Sequence, residues 1–503
     1  MKGMDRAVQR ISKAVSDREP ILIHGDYDVD GITASALMAR TLERLGAPFA
    51  TFLPERTVDG YGVSPRAITK AREEGARLII TADCGITAHA PLALAASLGI
   101  EVIVIDHHRI PPEGLPEAYA ILNPLQEDCG YPFKELSAAG LVFKLSQALV
   151  GDSAFEFLDL AALSTISDVA PLVEENRILV KKGLERLSLR TNPGLSALGE
   201  VAGLKARQIT VAHVGFVLAP RLNAAGRMST PDMALRLLLA NSAAETASLA
   251  AALDEENKLR QKEERQVTEQ AIRQIERTVN FNRERVLVAV SEGWHPGVIG
   301  IVASRLVDRF HRPAIVIALH EGRGKGSGRS IKNFHLFEAM ESCRDLFENF
   351  GGHAQAAGLQ MSGENVALLR ERINRFAQEK YPAEIFIKTF PVDLEIRLED
   401  LRQPFIGELQ LLEPHGAGNP KPSFLTRGLE VRAKPEKLTG ETVKFWVTDG
   451  LFTAEALWTP RAASDAAFKP ERGMRLDLIY SVKTRVWDGR ETISLDVKSA
   501  KQV

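Results

Sequence analysis

The sequence predicts an α/β protein. A doubly wound, mostly parallel sheet is joined by a long helix to a smaller α/β domain, and a C-terminal β-barrel follows. Three observations predict this. Between Ile21 and Leu122 short apolar runs alternate with amphipathic segments, the rhythm of βαβ units. From Ser242 to Arg277 strong helix formers run with little interruption, as in ETASLAAALDEENKLRQKEERQ. After Pro391 the pattern changes to short alternating segments bounded by turn residues.

Length and composition set the frame. The chain has 503 residues, enough for three or four domains. Its net charge of −2 argues against indiscriminate coating of nucleic acid and leaves room for a local basic groove. No apolar run approaches the roughly 18 residues of a membrane span, and the polar start MKGMDRAVQRISKAV lacks the apolar core of a signal peptide. Cys84, Cys129 and Cys343 form no CxxC pair, so a reducing, cytoplasmic setting is the expectation.

In the first region the strands are expected at Ile21–Ile23, Phe49–Leu53, Leu78–Thr81, Val102–Ile105 and Ala120–Leu122, with helices such as Ser64–Glu74 and Ala88–Leu98 between them. Continuous runs such as VIVI suit parallel strands buried on both faces. Polar clusters stand at the ends of these elements. In ILIHGDYDVDG, Asp26, Asp28 and Asp30 lie on a strand-to-helix turn, just past His24. RLIITADCG places Asp83 past a strand. EVIVIDHH places Asp106, His107 and His108 past another, and LAALSTISDVAPL puts Asp168 at the end of a helical segment stopped by Pro171. Ligands gather at the carboxyl edge of such sheets, so these clusters are expected to converge.

The residue types indicate a divalent metal centre. Massed carboxylates repel one another unless a cation neutralises them. Oxygen ligands suit Mg²⁺ or Mn²⁺, and adjacent imidazoles tilt the choice toward Mn²⁺. Two such ions generate a hydroxide nucleophile and clamp the oxygens of a phosphoryl centre. No Ser-His-Asp order or thiolate site competes.

HGDYDVDG, TADCG, DHH and SDVAPL, in this order, resemble the four motifs of the DHH phosphoesterase superfamily. The closer match is to its RecJ family of single-strand-specific 5′→3′ DNA exonucleases. The resemblance implies metal ligands at Asp28, Asp30, Asp83, His107 and Asp168, with Asp83 as the bridge. Asp26, His24 and His108 match motif positions that serve as ligand, as support behind the ligands or as substrate contact. Asp26 is counted here with the metal set, His108 with the catalytic residues and His24 with the supports. Asp106 is expected to orient the histidines from behind.

The remaining stretches carry the resemblance further. FLPERTVDGYGVS contains Arg56 and Tyr61, which in RecJ-like chains implies contact with a DNA phosphate or a stacked base. VLAPRLNAAGRMSTP resembles the signature after the catalytic domain, with Arg221 and Asn223 among small residues and Arg227 as a substrate-phosphate candidate. HEGRGKGSGRSI is expected to be a glycine-rich loop forming a phosphate pocket. FGGHAQAAGLQM completes the likeness of this unit to a DHHA1 domain. By that likeness Ser327 and Arg329 recognise the DNA 5′ end, and His353 faces substrate. Five or six strands after Pro391 suit an OB-type barrel. There Trp446, Trp458, Trp487, Lys444, Lys483 and Arg485 are available to a single strand, although core packing is expected for at least one tryptophan. The implied division is 1–190 DHH catalytic domain, 191–280 helical connector, 281–380 DHHA1 domain and 390–503 OB-fold domain. Family members usually carry a longer segment before the first motif than the twenty residues ahead of Ile21, so a short-start version is expected.

The reading is therefore a Mn²⁺- or Mg²⁺-dependent hydrolase, a 5′→3′ exodeoxyribonuclease that releases nucleoside 5′-monophosphates from single-stranded DNA in repair and recombination. Single-strand-binding protein and a repair helicase are the protein partners the resemblance implies. The chain is expected to be a monomer with no membrane contact. The alternatives are a phosphodiesterase for short oligonucleotides or cyclic dinucleotides, which needs no barrel, and a binding scaffold with a degenerate site, which would not need intact acids and histidines.

Overall fold

The computed structural model describes every residue except 56, 57, 61, 439, 440, 461–467, 488 and 489, and omits the side chains of 485–491. Arg56 and Tyr61, and the side chains of Arg485 and Trp487, therefore lie outside the described residues. The chain divides into two compact units, Met1–Arg260 with Leu412–Pro420, and Gln261–Leu411 with Lys421–Val503. Among the described residues no helix is long and apolar enough to cross a membrane.

In the first unit, five parallel strands run in the order β2-β1-β3-β4-β5: β1 Ile21–Gly25, β2 Phe49–Phe52, β3 Leu78–Ala82, β4 Glu101–Ile105 and β5 Ala120–Leu122. Every residue of β1 and β3 is buried, which is why both read as unbroken apolar runs. From β1 the chain crosses to β2 on one side and later returns to β3 on the other. The crevice at the carboxyl ends of β1 and β3 is the switch point at which doubly wound sheets bind ligands. The helix Val29–Arg44 leaves β1 with Asp28 as its cap: the Asp28 carboxylate accepts the N–H groups of Asp30 (2.9 Å) and Gly31 (3.2 Å). A Cβ at Gly31 would collide with the backbone of Asp26, so only glycine permits a turn this tight. The segment Leu412–Pro420 packs against the same unit, where the Leu172 N–H donates to Ala417 O (2.7 Å).

The long helix is Ala243–Thr278. In the second unit a mixed sheet runs in the order β6-β7-β8-β10-β9: β6 Leu287–Glu292, β7 Ala314–His320, β8 Arg323–Arg329, β9 Asn349–Gly352 and β10 Ala356–Ser362. The expectation of a glycine-rich loop at GRGKGSGR is corrected here, because Arg323–Arg329 is a central strand. Gly324, Gly326 and Gly328 lie flush against Ile317, Leu359 and Leu336. Arg323, Lys325, Ser327 and Arg329 occupy the alternate positions, which face the other way.

The same unit ends in seven strands: β11 Leu394–Glu395, β12 Phe424–Val431, β13 Glu436–Lys437, β14 Val443–Thr448, β15 Thr453–Trp458, β16 Arg475–Trp487 and β17 Arg490–Gln502. The five strands β12-β16-β17-β15-β14 close on themselves through the β12–β14 pairing, and β15 runs parallel to β17, as an OB-like barrel requires. Trp458 is buried in the barrel core beside Phe424, Phe445 and Tyr480, whereas Trp446 is 41% exposed.

Candidate metal centre

Each acid is placed by the end of an element. Asp26 and Asp28 occupy the turn after β1, and Asp30 lies in the first turn of the following helix. Asp83 follows β3 with φ +69°, a left-handed conformation that aspartate tolerates, and its N–H donates to Ile105 O (3.0 Å) at the end of β4. His107 and His108 follow β4. Asp168 caps the C-terminus of the helix Leu158–Ser167.

These side chains meet. His107 Nε2 is 3.2 Å from Asp83 Oδ1 and 3.7 Å from Asp30 Oδ2, and its Nδ1 is 3.9 Å from Asp168. Three groups have ligand atoms within 4.8 Å of one another: Asp83, His107 and His108; Asp30, His107 and Asp168; Asp26, Asp28 and Asp83. Asp83 and His107 each belong to two of them, so this pair links the three groups.

The electrostatics are those of a site built around positive charge. Burial, then Asp30, Asp28 and Asp26, push the Asp83 carboxyl well above the usual range. Burial and Asp30 also raise Asp28, against the pull of the Gly31 and Asp30 N–H groups. Burial, with Asp30 and Asp28, lifts Asp168 to about 8. Burial pulls His107 down despite the attraction of Asp30, which keeps its imidazole neutral and able to ligate. His108 differs: Asp106 outweighs burial and raises it to about 9. The Asp106 carboxylate accepts the His108 Nδ1 proton (2.7 Å), the His108 N–H (3.0 Å) and the Ile86 N–H (2.9 Å), and so ties the TADCG turn to the DHH turn. Burial raises Asp106, but His108 and those donors leave it lowered overall. Asp83 Oδ1 is buried and accepts no hydrogen bond from a described residue. A buried, repelled, unpaired carboxylate oxygen with an imidazole beside it fits Mn²⁺ or Mg²⁺.

Several supporting residues carry no mark in the sequence. Asp30 is fastened by the N–H groups of Ala138 (2.8 Å) and Ala139 (3.0 Å), at the start of the helix Ala138–Val150, and by the Ser164 hydroxyl (2.6 Å). Ser164 Oγ in turn accepts from the Ser137 hydroxyl (2.7 Å). Buried Asn123 holds the His108 carbonyl (2.9 Å). Only Ser164 had a usable signal, lying one helical turn before Asp168. His24 is fully buried in β1 against Phe52 and Cys84, and burial lowers it to about 4, so it stands behind the acids as a neutral ring.

Arg227 is half-buried near the end of the helix Ala219–Met228. The preceding Gly226 abuts the Tyr27 carbonyl so closely that a Cβ would clash, which brings the helix backbone next to Arg227 against the turn of the acids. Arg221 is instead committed to Asp254 (2.8 Å). In the second unit, the Arg329 guanidinium donates to Ser327 Oγ (3.1 Å) and Gly328 O (2.8 Å). A Cβ at Gly300, in the first turn of the helix Ile299–Phe310, would lie 3.1 Å from Ser327 Oγ and 3.2 Å from Arg329. Serine, arginine and a helix N-terminus therefore share one spot, which suits a phosphate. His353 is exposed in the β9–β10 turn, and its N–H donates to Ala356 O (2.8 Å). Ala356 pairs with Arg329, so His353 lies at the same end of the sheet.

Three family models match the chain in succession: the DHH family N-terminal domain over residues 20–165, the DHHA1 domain over 283–379 and the RecJ OB domain over 392–499. The single-stranded-DNA-specific exonuclease RecJ of Bacillus subtilis is 40% identical across 99% of this chain, which spans 63% of that relative. The Escherichia coli protein of the same name is 34% identical across 98% of this chain and 89% of its own length. The crystal structure of RecJ with Mn²⁺ from Thermus thermophilus superposes with a TM-score of 0.84 at 31% identity, covering all of this chain and 72% of that one, and the same protein is known with Mg²⁺. With its three domain models in order, and relatives of 34–35% identity matching 98% of this chain over 89% of their own length, the chain belongs to the RecJ family.

Proposed function

We propose that the chain is a Mn²⁺- or Mg²⁺-dependent exonuclease that hydrolyses single-stranded DNA from the 5′ end to nucleoside 5′-monophosphates. The observation that carries this is the convergence of Asp26, Asp28, Asp30, Asp83, His107 and Asp168 on the β1/β3 crevice, with Asp83 and His107 shared between groups. Those six would hold the metal, with Asp83 as the bridge. When bound, the metal supplies Lewis-acid charge on the phosphoryl oxygens and a more acidic water.

The protein's own groups do the rest. His108, kept protonated by Asp106, offers a proton to an oxygen of the scissile phosphate. Arg227 supplies fixed positive charge beside the acids. In the reaction the oxygen of water bonds to phosphorus, the P–O3′ bond breaks, and the 3′-oxygen of the departing nucleotide takes a proton. Ser327, Arg329 and the helix N-terminus at Gly300 support a role in binding the 5′ phosphate, which would set direction. Arg56, Tyr61 and His353 are proposed as further substrate contacts, with His24 as support behind the acids. The division 1–190, 191–280, 281–380 and 390–503 is proposed as the domain plan. Single-strand-binding protein and a repair helicase as partners, a monomeric state and a cytoplasmic setting belong to the same proposal.

The test is Asp83→Ala assayed with Mn²⁺ on a single strand. Loss of nucleotide release with retained binding is expected; unchanged turnover would refute the assignment.

A further inference from the structure

We propose that Phe216 is a stacking platform for a base of the single strand beside the metal centre, an inference that rests on the exonuclease reading above. Phe216 is 81% exposed, more than any other phenylalanine or tryptophan among the described residues. A single exposed apolar side chain is ordinary, but the position of this one is not. It lies on a π-helical turn, Val214–Leu218, set between the helical segments Val211–His213 and Ala219–Met228. Such turns insert one extra residue at a cost in hydrogen-bond geometry and recur at functional sites. Here Val214 and Leu218 remain buried while Phe216 projects into solvent.

Two contacts tie this helical run to elements that carry the acids. Gly215 packs against Ile166, with its added Cβ position 4.0 Å from Ile166 Cγ2, two residues before the acid Asp168. The same helical run carries Gly226, which abuts the backbone of Tyr27 between Asp26 and Asp28, and Arg227 next to it. Just past Asp168, Val169 is 69% exposed with φ +59°, a costly conformation for a β-branched residue. One helical run, touching both the helix that ends at Asp168 and the turn that bears Asp26 and Asp28, thus carries an arginine and an uncovered aromatic ring. Enzymes that hold single strands without reading sequence pair a cation for the backbone with a ring for a base. A ring has two rotatable bonds, so it offers this face at little entropic cost.

The test uses the full chain with Mn²⁺, a 5′-phosphorylated 20-nucleotide single strand, and a series in which an abasic site steps through the first six positions. Phe216→Ala is expected to raise KM by about 5- to 100-fold, with the loss in KM rather than kcat and an unchanged unfolding temperature. Phe216→Trp should restore KM and Phe216→Leu should not. One abasic position should mimic the loss in the unsubstituted chain and add nothing to Phe216→Ala. Unchanged KM in Phe216→Ala, or full rescue by leucine, would overturn the proposal while leaving the exonuclease reading intact. An unsubstituted chain that releases nothing from any single strand would overturn both.

Discussion

Asp83 carries a heavy electrostatic penalty, being buried, in left-handed backbone and facing four further aspartates, Asp30, Asp28, Asp26 and Asp106. Without a cation this is a net repulsion, so Asp83→Asn should raise the unfolding temperature of the metal-free chain and abolish the rise produced by Mn²⁺. For the unsubstituted chain, saturation at 100-fold over Kd contributes about 2.7 kcal/mol, a shift of several degrees; calorimetry in EDTA and in Mn²⁺ checks both. A pH dependence follows from Asp168 and His108. Asp168, at about 8 when folded, keeps a proton that the unfolded chain releases near pH 4. His108, at about 9, keeps one that the unfolded chain releases near 6.5. The folded state therefore binds more protons between pH 6.5 and 8, and metal-free stability must fall as pH rises through that window. Both side chains are partly open to water, which trims the effect. Mn²⁺ displaces protons from its ligands, so its stabilisation should grow over the same window. Unfolding temperatures at pH 6.5, 7.25 and 8, with and without metal, decide it. His24 titrates lower, near 4, and does not interfere.

At the scale of elements, close approach matters as much as charge. Gly226→Ala would force the helix Ala219–Met228 off the Tyr27 carbonyl and move Arg227 from the acids. An activity loss of about 10-fold or more with a lowered unfolding temperature is expected; wild-type values would contradict the placement of Arg227. The strands of the first sheet were legible because each is an apolar run stopped by glycine, an acid or an oncoming proline, and the motif acids were legible because strand ends gather at one edge. GRGKGSGR was misread because glycine and charge in composition signal a loop, while its period of two signals a strand with glycines facing the core. The fastening of Asp30 by Ser164 and Ala138 spans more than a hundred residues and leaves no local pattern.

For the whole molecule, the barrel was legible from turn-bounded alternation, but the fate of its tryptophans was not, because alternation alone does not say which face closes inward. Trp458 went to the core. Trp446 stayed exposed, with Lys444 5.8 Å from its ring and that lysine also paired with Glu455 (3.2 Å). Trp446→Ala should weaken binding of a long single strand by roughly 5- to 100-fold while leaving hydrolysis of the dinucleotide pApA unchanged. Fluorescence anisotropy and nucleotide release measure the two arms. The central claim, a metal-dependent enzyme that enters single strands from the 5′ end, is tested most directly by digesting one strand labelled at either end with Mn²⁺, beside the matched duplex. The account predicts immediate release of labelled mononucleotide from the 5′ label, late release from the 3′ label and a spared duplex. Early release from the 3′ label, or equal attack on the duplex, would contradict it.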